Sequence, residues 1–149
     1  MAISFFGGLT EQEQNQLLLA PSMVTVLVAG ADQNIDKKEK DWATKLVQFR
    51  TFTSHTKLHD YYEAVDARFS QDLESLTANW NAETTETHLT TELGKVGEIL
   101  PKIDASIASE LRDSLRSLAG HVAKASGGFL GMGGVDGDEA RIMKLEMLG

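Results

Sequence analysis

Five candidate ligands, all carboxylates, stand out in two stretches of similar pattern. The first runs Val28, Ala29, Gly30, Ala31 and Asp32, then Ile35, Asp36 and Glu39. The second runs Val122, Ala123, Lys124, Ala125 and Ser126, then, after a longer loop, Val135, Asp136 and Glu139. Each reads as a helix end, a turn, an aliphatic residue and Asp-x-x-Glu. The structural account of Asp-x-x-Glu is a capping box, in which Asp36 and Asp136 accept from orphan helix amides while Glu39 and Glu139 reach back. The chemical account is an oxygen-rich site. Carboxylates from two facing turns are what Ca²⁺ or Mg²⁺ prefers. Asp32, Asn34 and Asp36 alternate as in a calcium loop, but Lys37 stands where the turn needs glycine and Ala43 where a bidentate Glu belongs. A metal here therefore requires ligands from both copies.

Other spacings offer less. His55, His59 and Glu63 share one helical face at steps of four, a spacing able to hold zinc. Thr56 follows His55, so the HExxH pattern of a metalloprotease is absent. The loop from Gly127 to Gly134 lacks the Gly-Lys-Ser/Thr ending of a phosphate-binding P-loop, and Gly30 alone is not a dinucleotide fingerprint. There is no cysteine, which removes thiolate chemistry, disulfides and sulfur-ligated metal centres, and no serine sits in a Gly-x-Ser-x-Gly elbow. These patterns predict a protein that is not an enzyme.

Helices must position these groups. Thr10 with Glu13 makes a capping box ahead of Leu17, Leu18 and Leu19, and Pro21 is expected to end that first helix and open a second. Met23 to Ala31 favours a strand on propensity, yet nothing else in the chain offers a strand partner. It reads as a helix apolar all round, hence central and buried. Asp36 with Glu39 opens a third helix carrying Trp42, Leu46 and Phe49. A fourth begins near Ser54 and places Leu58, Tyr62, Val65, Phe69, Leu73, Leu76 and Trp80 on one stripe. Leu89, Leu93, Val96 and Leu100 mark a fifth, ended by Pro101. Ile103, Ile107, Leu111, Leu115, Leu118 and Val122 mark a sixth, and Asp136 with Glu139 opens a last helix through Leu148. The expected fold is all-α: residues 1–149 as a single globular domain of about seven helices, with two pseudo-symmetric helix–turn–helix units.

Composition narrows the partners. The formal net charge of −8 disfavours nucleic acid and favours cations or basic proteins. Met1 to Gly8 has no basic region of a secretory signal, and Met23 to Ala31 is too short to span a bilayer. The expected setting is cytoplasmic, without direct membrane insertion.

The run Leu18, Leu19, Ala20, Pro21, followed by Val28 to Asp32 and Ile35 to Glu39, resembles the amino-terminal half of the tellurite-resistance TerB-like family. The run Leu118 to Gly131 is similar to its carboxy-terminal half. The resemblance implies a small all-helical bacterial domain of tellurite resistance and chemical stress response. It implies divalent metal bound through the acidic turns, with Asp32, Asp36, Glu39, Asp136 and Glu139 as ligands. It also implies a role as scaffold or sensor alongside a protein partner in a membrane-associated stress-response complex. Ser126 stands where the first copy has Asp32, a weaker ligand. The alternative reading is a metal-free protein-interaction module with an acidic binding face.

Overall fold

The computed structural model describes residues 3–29, 41, 44–45, 56–78 and 82–126. Its long helices are α1 (Glu11–Ala29), α2 (Thr56–Thr77), α3 (Ala82–Ile99) and α4 (Ala105–Ser126). Short 3₁₀ turns at Ser4–Phe6 and Leu100–Lys102 precede α1 and join α3 to α4. Asp41, Thr44 and Lys45 are helical as well, and no described residue is in a strand. The fold is all-α.

The helix starts follow local chemistry. Thr10 and Glu13 form the expected box: the Thr10 amide donates to Glu13 Oε1 at 2.9 Å, and the Glu13 amide to Thr10 Oγ1 at 3.1 Å. α4 begins after Ile103 rather than at it. Asp104 Oδ2 accepts from the amides of Ser106 (3.2 Å) and Ile107 (3.3 Å), capping two of the first turn's orphan donors.

Pro21 does not end a helix. It sits inside α1, so the two helices expected on either side of it are one. A proline removes the N–H that the carbonyl four residues back requires, and here that carbonyl belongs to Leu17. The Tyr61 hydroxyl, on α2, donates to it at 2.6 Å. A side chain from a neighbouring helix thus supplies the missing donor. One turn on, Thr25 Oγ1 donates back to the Pro21 carbonyl at 2.9 Å, which satisfies a buried hydroxyl.

α1 is the centre of the assembly and packs against α2, α3 and α4. From Ala20 to Val28 every side chain is buried, including Ser22 and Thr25. Burial on all sides explains why Val24, Thr25, Val26 and Val28 are helical against their β preference. Each fully buried aliphatic side chain is worth about 1.5–3 kcal/mol, more than the few tenths its helix propensity costs. The outer helices are amphipathic. Leu58, Tyr62, Val65, Phe69 and Leu73 of α2 face inward, as do Leu89, Leu93 and Val96 of α3 and Leu111, Leu115, Leu118 and Val122 of α4. Tyr62 and Ser114 join α2 to α4 through their hydroxyls.

The expectation of about seven helices in two pseudo-symmetric units is overturned. Among the described residues there are four long helices, and no two-fold pair of helix–turn–helix units is evident. The two matching segments begin at the ends of α1 and α4, and these helices are not equivalent. α1 is enclosed on every side near its end, whereas α4 keeps Ser109, Asp113, Ser117 and His121 on an exposed outer face. A two-fold axis would demand the same burial of both. The expected third and last helices lie mostly or wholly outside the described residues, as do Trp80 and the loop from Gly127 to Gly134.

Candidate functional site

The five metal candidates, Asp32, Asp36, Glu39, Asp136 and Glu139, all lie outside the described residues, and so does His55. His59 Nε2 and Glu63 Oε2 are 3.6 Å apart, each about half exposed. Among the described residues no three His, Asp or Glu side chains come close enough to hold a metal ion.

What the structure does assemble is a polar groove of about 380 Å³ between the first turns of α1 and the end of α3. Gln12, Glu13, Asn15, Gln16, Glu92, Lys95 and Ile99 line it. The capping box aims Glu13 here, because its backbone amide and Oε1 are both engaged with Thr10. Its other oxygen, Oε2, accepts from Lys102 of the 3₁₀ turn. Gln16 lies one turn further along α1. Its Nε2 donates to the main-chain carbonyl of Glu92 and to Glu92 Oε2, both at 2.9 Å. Lys95 Nζ reaches the same carboxylate at 3.2 Å, and His88 Nε2 stands 3.9 Å from its other oxygen.

These contacts set the charge states. Burial pushes the Glu92 carboxyl up, but the hydrogen bonds from Lys95 and Gln16 and the nearby positive charges outweigh it, leaving the group below the usual carboxylate range. Glu13 is also held low, chiefly by Lys102 and then by the Thr10 amide. Both are therefore ionised at neutral pH and are poor general acids. No thiol is available, and each cation in the groove already faces a carboxylate. The groove is best equipped to tie α1 to α3 and to the 3₁₀ turn. A carboxylate whose folded pKa is depressed contributes stability above its unfolded pKa and loses it as the pH falls through the folded value. Thermal melts taken from about pH 6 down to about pH 3 should therefore show falling stability. That acid slope should be shallower in Glu13→Gln and Glu92→Gln.

The outer face of α2 has a different character. Opposite its core stripe lie Asp60, Glu63, Ala67, Ser70, Gln71 and Glu74, all exposed or half-buried. The guanidinium of Arg68 is turned away from this strip. It donates to Asp72 Oδ2 at 2.7 Å and Oδ1 at 3.3 Å, and to Asn15 Oδ1 on α1 at 2.9 Å. The strip is thus acidic, and Arg68 does not face it. Sequence reasoning did not single out the groove or this strip. The three- and four-residue steps through Asp60, Glu63, Ala67, Ser70 and Glu74 were the available signal for the strip, while the groove joins residues too distant in sequence to suggest one another.

Compared with known protein families, with characterised proteins and with solved structures, the chain finds no match. No described helix is long and apolar enough to cross a membrane.

Proposed function

We propose that this chain is a non-catalytic helical scaffold that engages a basic protein partner through the outer face of α2. The observation that carries this reading is the strip of Asp60, Glu63 and Glu74 among small neutral residues, from which Arg68 is withdrawn. Surface carboxylates attract a cationic surface and speed its encounter, with a strong dependence on salt. The test uses a lysine-rich amphipathic helical peptide as the probe. Binding should weaken as salt rises, and the triple variant Asp60→Asn, Glu63→Gln, Glu74→Gln should lose about tenfold in affinity or more. Removing charge elsewhere, by Glu98→Gln on α3 with Asp113→Asn on α4, should change it little. Equal losses per charge removed from the two sets would mean the peptide reads only net charge, and the proposal fails.

A second reading is favoured by the two matching acidic segments of the sequence. It is a TerB-like stress-response domain of the bacterial cytoplasm that holds Ca²⁺ or Mg²⁺ through Asp32, Asp36, Glu39, Asp136 and Glu139 and serves a membrane-associated partner complex. A cation at about 100 times its dissociation constant would then stabilise the fold by about 2.7 kcal/mol. Asp32→Asn and Asp136→Asn should each reduce the gain, and Asp66→Asn, on α2, should not. A melting curve indifferent to divalent ions rejects this reading and leaves the first untouched.

A further inference from the structure

The segment ahead of α1 is attached unlike the rest of the described fold. Ile3, Phe6 and Leu9 are buried at three-residue spacing, while Gly7 and Gly8 between the last two are exposed. Its backbone hydrogen bonds close on itself: the Phe6 amide donates to the Ile3 carbonyl and the Leu9 amide to the Phe6 carbonyl, each at 3.0 Å. Among the described residues the polar ties to α1 come from one side chain, Gln14, whose Nε2 donates to the Leu9 carbonyl at 3.0 Å and the Phe6 carbonyl at 3.4 Å. Aromatic rings add to the apolar attachment. Phe5 and Phe6 pack edge to face with centroids 5.1 Å apart, and lie 6.2 and 6.5 Å from the ring of Tyr61.

The geometry points to Ile3–Leu9 as a hinged strap that lifts as one unit and uncovers the α1–α2 seam at Tyr61 while the helices stay folded. Lifting breaks no backbone hydrogen bond to any described helix, frees the strap's own turn to open to water and costs the burial of a few apolar side chains. Gly7 and Gly8 adjoin the point where the chain would swing, and a Cβ at either position would meet nothing within 4 Å. Such a unit belongs to the low end of the range of local opening free energies. The ring it covers carries the hydroxyl that completes α1 at Pro21, so an open strap exposes the apolar seam beside that junction.

Hydrogen exchange on the full chain tests this. The Phe6 and Leu9 amides should exchange at least about a hundredfold faster, relative to their intrinsic rates, than those of Val24 and Leu27, with little dependence on low denaturant. Gln14→Ala removes both ties and should speed the strap amides about fivefold while leaving Val24 and Leu27 unmoved. Nitration of Tyr61 by tetranitromethane should accelerate by the same factor. The inference is overturned if strap and α1 amides share one protection and one denaturant slope. It is equally overturned if Tyr61 reacts at a rate indifferent to Gln14→Ala.

Discussion

Tyr61→Phe is expected to destabilise the chain by about 1–3 kcal/mol, and most of that loss is expected to vanish when Pro21 is first replaced by alanine. The Leu17 carbonyl lies in the middle of a helix but cannot receive the usual amide, because residue 21 is proline. The Tyr61 hydroxyl takes that place at 2.6 Å in a fully buried setting. Removing the hydroxyl leaves an acceptor with no water to turn to. Pro21→Ala restores the backbone donor, so loss of the hydroxyl in that background leaves nothing orphaned. Urea melts of the four proteins in the cycle isolate the coupling, which should exceed about 1 kcal/mol. Equal costs in the two backgrounds would mean that tyrosine fills space and does not complete the helix. Burial also pushes the Tyr61 phenol well above its ordinary range. Alkaline titration of the folded chain should accordingly show a tyrosine that ionises late.

The second large effect concerns the enclosure of α1. An aspartate at Val24, Val26 or Leu27 should cost at least about 3 kcal/mol at each position, because each side chain is buried in the apolar core, where a charge loses its hydration. Successive residues point about 100° apart around a helix, so these three span about 160° of its circumference, more than the stripe of about 100° that an amphipathic helix buries. In an amphipathic helix at least one such direction is open to solvent. Ser109→Asp on the exposed face of α4 should change stability by no more than about 0.5 kcal/mol. Circular dichroism melts decide the matter: one tolerated aspartate among the three would show that α1 has an open side.

What was legible from sequence was local or periodic. Thr10 with Glu13, the stripe from Leu58 to Leu73, and the helical nature of Met23 to Val28 all follow from spacing and from the lack of a strand partner. Pro21 misled because the rule against proline in a helix assumes that the lost donor is not replaced. Its replacement lies 44 residues away on another helix. Tyr61 was invisible for the same reason, since it stands beside the stripe residue Tyr62 and is buried only because α1 packs there. The repeat misled differently. Similar strings of Val, Ala and Asp need not occupy similar environments, and α1 and α4 show how far these can diverge. Of the acidic pattern in the two turns, only the spacing is legible.

The central position of α1 has a consequence for how the chain is made. Its most apolar segment, Ala20 to Val28, leaves the ribosome first, and part of its covering surface, Leu111 to Val122 of α4, follows close to a hundred residues later. At about 5–20 residues per second that interval is on the order of ten seconds, during which a sticky segment has no complete shelter. Synthesis of this chain therefore passes through a stage in which binding by a holding chaperone competes directly with self-association. Slowing translation between α3 and α4 should lower the soluble yield without altering the stability of the finished fold.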